Sequence, residues 1–290
     1  MDIENKIDKT SEKKSALRVV VHSFFVVPFI IAIFAVLIFL VTRIMTAEPN
    51  TAQDYLEDVK IGGATKRWQG AFELSKILSN PEMVPNDDRF VNEMINTFEY
   101  AINDRDIRIR QFLAIAMGAT GDKRYVETII KALDQNDNEI IMACAFALGN
   151  LKDNRAVEHL LELLDSGDPQ VRLQSVIALG KIEDPRSTMA LEKMLADIEP
   201  NVRWDAAVAL AKQKNSSGRR IILDLLDRKY LNSFSNIDKV EQVQAMMVAI
   251  NVAPLIQDSD LKASLLGLRE SDSNLKIREA ARTALLNFEE

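Results

Sequence analysis

Aspartate and arginine residues recur in this sequence at a fixed spacing, and such pairs can bind anions or transfer protons. Asp122, Asp153 and Asp184 stand 31 residues apart, and an arginine follows each of them two residues later. Those arginines are Arg124, Arg155 and Arg186. Catalytic groups are normally singular, so the repetition favours structure over catalysis. An aspartate that opens a helix accepts hydrogen bonds from free backbone N–H groups, and each arginine can pair with an acidic group of the next unit.

The same spacing extends to two further columns of the sequence. One holds small residues, at Gly118, Gly149, Gly180 and Ala211. Another holds acidic residues, at Asp106, Asp137, Asp168 and Glu199. A fixed period of this length indicates stacked supersecondary units, and therefore a solenoid.

Each unit has the sequence pattern of two helices. Asp168-Pro169 begins the first helix of one unit, and Asp184-Pro185 begins the second. Apolar residues between them recur at helical spacing, and alternating runs typical of strands are absent from the sequence. Gly180 is small where the first helix can approach its neighbour closely. The pattern predicts an all-α fold.

The repeats resemble HEAT repeats, and their short period is most similar to the HEAT-like repeats of bilin lyases and many bacterial scaffold proteins. The matching segments are Val171-Arg172, Ala178-Leu179-Gly180 and Val202-Arg203-Trp204-Asp205-Ala206-Ala207, with weaker copies at Ile109-Arg110 and Ile277-Arg278. The resemblance covers about Ala52 to Glu290 and implies an α-solenoid of six or seven helical-hairpin units. It implies no single function, because such families include scaffolds, adaptors and a few enzymes.

Two stretches interrupt the period, at residues 79–88 and 229–237. Insertions in solenoids form loops that often decorate a binding face, although harmless variation in loop length is the alternative. Tyr230 and Phe234 favour contact with a partner, because exposed aromatic side chains anchor interfaces.

A second candidate surface follows the predicted second helices. Glu127 and Lys131 are four residues apart in the favourable order for an ion pair, and Glu158 and Glu162 form an acidic patch. Stacked second helices would align these side chains on the concave face, as a protein-binding groove or as a plain solvated surface. The candidate partner-binding residues are Glu127, Lys131, Glu158, Glu162, Lys193, Arg220, Tyr230 and Phe234.

The sequence indicates no catalytic, cofactor or metal site. It contains two histidines, His22 and His159, and one cysteine, Cys144, which lies in an apolar stretch typical of the core. Phosphate-binding and nucleophile-elbow motifs are absent. The net charge of −7 argues against binding nucleic acid. We predict a protein that is not an enzyme; a bilin-lyase-like or other HEAT-like enzyme and, third, a nucleic-acid-binding solenoid are the alternatives.

Residues 19–42 predict a transmembrane helix. These 24 residues contain no Asp, Glu, Lys or Arg, and as a helix they would span ~36 Å, against a hydrocarbon core of ~30 Å. The run is longer than the apolar region of a secretory signal peptide, and no suitable cleavage site follows it. An uncleaved anchor is therefore expected.

The distribution of lysine and arginine predicts the orientation of this anchor. Five of them precede the span, at Lys6, Lys9, Lys13, Lys14 and Arg18, and only Arg43 follows closely. Positive residues stay inside, so the N-terminus is expected in the cytoplasm and the solenoid on the outer or periplasmic side of the inner membrane. The predicted segments are a charged tail (1–18), the span (19–42), a linker (43–54) and the solenoid (55–290).

Together these patterns predict a membrane-anchored scaffold or adaptor that binds a protein partner. An apolar flank left open at the C-terminal end of the solenoid would offer an oligomer contact.

Overall fold

The computed structural model describes residues 22–46, 50–235 and 237–288, and the predicted tail at residues 1–18 lies outside them. The chain divides into two compact units, and the boundary in the sequence falls between Asn50 and Thr51.

The first unit is an apolar helix. A turn of π-helix at His22–Val26 leads into α1 (Val27–Thr46). The segment Phe24–Thr42 is long and apolar enough to cross a membrane, as judged by length and composition alone. Large side chains along it are exposed, for example Phe29 at 66% and Phe34 at 60%.

The second unit consists of fifteen α-helices, and no strand occurs among the residues that the structure describes. In chain order they are α2 (Ala52–Ile61), α3 (Ala64–Ile77), α4 (Asp88–Tyr100), α5 (Ile107–Ala119), α6 (Val126–Lys131), α7 (Asn138–Leu151), α8 (Val157–Glu162), α9 (Pro169–Ile182), α10 (Thr188–Met194), α11 (Pro200–Lys212), α12 (Arg219–Leu225), α13 (Arg228–Asn232), α14 (Lys239–Ile256), α15 (Ser259–Ser271) and α16 (Leu275–Leu285). The first of them begins inside the stretch that the sequence assigns to the linker.

The first helices of the repeats stack on one another along the unit. They are α3, α5, α7, α9, α11, α14 and α16, and each packs against the next. The second helices, α4, α6, α8, α10, α12 and α15, lie beside them. The predicted all-α HEAT-like solenoid of six or seven units is thereby confirmed.

The glycine column sets the close approach of the first helices. A Cβ atom on Gly180 would lie 2.7 Å from the Cβ of Ala209, and one on Gly118 would lie 2.5 Å from the Cα of Ala147. Real Cβ atoms do not approach that closely, so only glycine fits at these crossings. The approach predicted at Gly180 is confirmed.

Aspartates fix the start of both helices in a unit. Asp168 accepts a hydrogen bond from the backbone N–H of Gln170 at the start of α9. Asp184 accepts one from the backbone N–H of Arg186 in a single 3₁₀ turn that precedes α10. These bonds satisfy donors that a helix start leaves free. Glu199 departs from its column, since its side chain makes no such bond at the start of α11.

Candidate partner-binding surfaces

The recurring aspartates and arginines form a ladder that joins neighbouring units. The Arg155 guanidinium donates to the Asp153 carboxylate at 2.9 Å, to the Glu127 carboxylate at 2.9 Å and to the backbone carbonyl of Lys123 at 3.1 Å. Each arginine therefore binds the preceding unit, and the expectation that it pairs with the next unit is wrong. The reason is that its own aspartate, at the start of the second helix, orients the guanidinium backwards along the stack.

Arg186 repeats this arrangement one unit later. Its guanidinium donates to Asp184 at 3.0 Å, to Glu158 at 3.2 Å and to the backbone carbonyl of Asn154 at 2.8 Å. The hydrogen bond from the Arg186 side chain holds the pKa of the Asp184 carboxyl below its ordinary value. A group so fully bonded within the fold has little capacity left for catalysis, which supports a structural role for the ladder.

The predicted column on the second helices is solvent-exposed, but most of its charges are not paired as expected. Glu127 pairs with Arg155 and Glu158 with Arg186, so the ion pair expected between Glu127 and Lys131 does not form. Arg220 pairs with Asp224 of the same helix, at 3.2 Å. Three members of the column are exposed and form no ion pair with any described residue: Lys131, Glu162 and Lys193. The acidic patch is thus reduced to Glu162, because Arg186 already compensates the charge of Glu158.

The aromatic residues of the second insertion are half-buried, which corrects the expectation that they are exposed. Tyr230 and Phe234 pack on Trp204 of α11, with ring centroids of Phe234 and Trp204 5.2 Å apart. The indole Nε1 of Trp204 donates a 3.1 Å hydrogen bond to the Tyr230 hydroxyl. The insertion folds back because its helix α13 begins with Arg228, whose guanidinium binds the Asp272 carboxylate at 2.6 and 2.7 Å.

A groove of about 400 Å³ lies between α11 and α14, beside the end of the folded insertion. Its walls include Trp204, Asp205 and Val208 of α11, Val240, Glu241, Gln244 and Val248 of α14, and Ile237. Apolar side chains form most of this lining. Val240 is 72% exposed and Val248 is 38% exposed, although both are large apolar side chains. A concave, mostly apolar surface with a few polar groups is typical of a binding site.

Asp205 is the one charged group of this groove that the fold leaves without a partner among the described residues. It is half-buried on the wall of the groove, and no described residue donates a hydrogen bond to it or forms an ion pair with it. Burial raises the pKa of its carboxyl to about 6, and the charge of Lys212 acts in the opposite direction. Glu241, by contrast, accepts a 3.0 Å hydrogen bond from the backbone N–H of Asp238 in the capping box of α14.

The sequence contains a weak signal for this carboxylate, although none of the columns of recurring residues includes it. One and two periods before Asp205 stand Gln174 and Ala143, and three periods before it stands Phe112. Asp205 is thus the acidic member of a column whose earlier members are neutral, and it stands at a half-buried position. The amide nitrogen of Gln174 is also buried without a hydrogen-bond partner among the described residues.

Metal ligands and a reactive thiol are the remaining chemistry that the described residues could offer. Within the described ranges no three His, Cys, Asp or Glu side chains are grouped as a metal site would require. Cys144 is fully buried, and burial raises the pKa of its thiol to about 12, so it is held as an unreactive thiol.

Comparison with known proteins finds a repeat family that matches part of the chain and solved structures with a similar fold. Residues 95–168 and 157–231 match the HEAT repeat family. No curated protein sequence matches the chain. The structure is similar to that of the complex of CpcE and CpcF of phycocyanin lyase from Nostoc sp. PCC7120, with 18% identity, a TM-score of 0.60, and coverage of 84% of this chain and 90% of that chain.

A second similar structure is that of YibA from E. coli, with 18% identity, a TM-score of 0.50, and coverage of 81% of each chain. At this level of identity both likenesses concern the fold alone.

Proposed function

We propose that this chain, whose residues 95–231 match the HEAT repeat family, is a membrane-anchored scaffold or adaptor that binds a protein partner. The observation that carries this proposal is the groove between α11 and α14. It combines exposed apolar side chains, such as Val240, with the unpaired carboxylate of Asp205. A concave, mostly apolar surface with a few polar groups is the usual setting of a binding site.

The ladder contrasts with this groove. Its charged groups, for example Asp153 and Arg155, are already bonded to one another and to the neighbouring unit. Because these groups already satisfy one another between neighbouring units, they fit a stacking role rather than a partner-binding one. Among the exposed residues of the second helices, Lys131, Glu162 and Lys193 stay candidates for a peripheral contact.

The apolar helix supplies the anchor in this proposal. Its segment Phe24–Thr42 has the length and composition of a membrane span. The excess of lysine and arginine before it favours a cytoplasmic N-terminus, and a solenoid on the outer or periplasmic side of the inner membrane. Confinement at the membrane raises the effective concentration of solenoid and partner, so a modest intrinsic affinity suffices.

We propose no enzymatic activity for this chain. The likeness to phycocyanin lyase concerns the fold, and a lyase-type activity would need a group that binds or protonates a tetrapyrrole. A shift in the absorption spectrum of a tetrapyrrole on mixing with the protein would favour that alternative. Binding of nucleic acid is opposed by the net charge of −7.

Co-purification from cells tests the proposal. A full-length tagged chain would be compared with a control in which an unrelated soluble domain replaces residues 51–290 behind the same anchor. We expect at least one protein to be retained in near-stoichiometric amount by the full chain and not by the control. If no protein is retained above the control, the scaffold proposal is wrong.

A further inference from the structure

We propose that the groove between α11 and α14 binds a partner segment that carries one lysine or arginine among apolar side chains, and that this cation pairs with Asp205. The inference rests on the proposed scaffold function, because it names the chemistry of the partner at the groove already described.

The charges that line the groove indicate the sign of the charge that the bound segment carries. Two carboxylates, those of Asp205 and Glu241, face it, and no lysine or arginine of the described residues lines it. Glu241 is occupied by the backbone N–H of Asp238, whereas Asp205 has no partner. A cationic side chain of the partner is therefore the group that the groove lacks. An acidic peptide or a nucleic acid would add negative charge beside these carboxylates and be repelled.

The energetic state of Asp205 supports the same conclusion. A half-buried carboxylate without a hydrogen-bond donor has lost part of its hydration, and the charge of Lys212 offsets only part of that loss. Its raised pKa expresses that loss. When a lysine or arginine enters the groove, the hydrogen-bonded pair replaces the lost hydration, in surroundings where the attraction is stronger than in water.

Apolar side chains on both walls specify the rest of the segment. Val240, Gln244 and Val248 stand four residues apart on α14 and so lie on one face of that helix. Val208 and Trp204 face them from α11. A segment with apolar side chains next to its cation would bury Val240 and Val248, which the isolated chain leaves exposed.

Contacts within the fold preform the α11 wall of the groove. Trp204 is held by the Tyr230 hydroxyl and by the Phe234 ring, and the insertion that carries both is held by the pair of Arg228 with Asp272. A wall fixed in this way loses little freedom when it binds.

The test uses the full-length chain in lipid nanodiscs and a displayed library of random 12-residue peptides. Peptides would be selected on the wild-type protein, and their affinities then measured for three variants. These are Asp205→Asn, Asp205→Glu and, as the matched control, Asp224→Asn, whose carboxylate lies outside the groove and pairs with Arg220. We expect selected peptides to contain one lysine or arginine between apolar residues.

The expected affinities follow from the pairing with Asp205. Asp205→Asn should weaken binding by about 10-fold or more, Asp205→Glu should retain part of it, and Asp224→Asn should leave it unchanged. Peptides that bind Asp205→Asn as tightly as wild type, or that lack a basic residue, would overturn the inference. So would a library that yields no peptide dependent on the groove.

Two further outcomes separate this inference from the scaffold proposal. If the co-purified protein is retained equally by the Asp205→Asn chain, the inference fails and the scaffold stands. If the wild-type chain forms a dimer that Asp205→Asn dissociates, the occupant is a second copy of the chain, and a basic segment of a different protein is excluded.

Discussion

Gly149 and Ala178 lie in direct contact where α7 crosses α9: a Cβ atom on Gly149 would stand 2.8 Å from the Cα of Ala178. The obstacle is backbone, which cannot move aside without shifting a whole helix. The stacking of the first helices therefore depends on the absence of a side chain at this column.

Gly149→Ala should destabilise the solenoid by about 1–3 kcal/mol, because the added methyl group forces α7 and α9 apart. Gly267→Ala provides the control. Gly267 lies in α15 with nothing within 4 Å of an added Cβ, so alanine should there stabilise by about 0.5–1 kcal/mol through helix propensity. Denaturant unfolding of the two variants measures both changes. Equal effects of the same sign would show that the column is not a packing constraint.

Arg172→Ala should destabilise the protein by about 1–3 kcal/mol. The Arg172 guanidinium binds the Asp197 carboxylate at 2.8 and 2.9 Å, and the Asp197 side chain is only 6% exposed. Removing the arginine leaves that carboxylate buried with fewer donors. Arg220→Ala, whose side chain is 83% exposed, should cost under about 0.5 kcal/mol. Thermal unfolding would contradict this account if the two variants lost the same stability.

Asp205→Asn should stabilise the protein at neutral pH. The folded pKa of Asp205, about 6, lies above the ordinary value of 3.8, so folding favours its protonated form. The stability that the protonated form contributes is fully present below about pH 4 and is lost as the pH rises through about 6. The asparagine variant should therefore be more stable than wild type by about 1–3 kcal/mol at pH 7 and similar to it near pH 4.

Denaturant unfolding at the two pH values checks this dependence. The charge of Lys212 lowers the pKa of Asp205, and the Glu241 carboxylate lines the opposite wall of the groove. If the variant is less stable than wild type at pH 7, the carboxylate has a partner within the fold. The groove then contains no unpaired charge, which contradicts this account.

Cysteine labelling should place the two ends of the anchor on opposite sides of the membrane. Ser273 is exposed on the solenoid, and Ser15 precedes the apolar helix. On cells whose outer membrane has been permeabilised, a membrane-impermeant maleimide should react with Ser273→Cys and should not react with Ser15→Cys. Cys144 is buried and should stay silent in both variants. The reversed pattern would contradict the orientation that the lysines and arginines predict.

The sequence predicted the repeats well, because each column of a solenoid reports the same local environment several times. Gly180 contacts Ala209, and Asp184 begins its turn, as the spacing indicated. Local rules of helix capping and close packing are sufficient for these features.

The candidate site was less predictable, because it depends on how unlike segments meet. The direction of Arg155 towards Glu127 depends on how Asp153 holds the guanidinium against the preceding unit, and Tyr230 is half-buried because the insertion folds back on Trp204. Asp205 occurs once, so no repetition marks it. Only the packing of α14 against α11 shows that this carboxylate has no partner.

Photo-crosslinking from position 248 of the full-length protein in cells tests the central claim most directly, with position 158 on the second helices for comparison. Val248 lines the groove, whereas Glu158 is engaged by Arg186. We predict a single protein adduct from position 248, a crosslinked segment that contains lysine or arginine, and a lower yield in the Asp205→Asn background. An adduct from position 158 alone, or none from either position, would contradict the account of the groove as the site where this scaffold holds its partner.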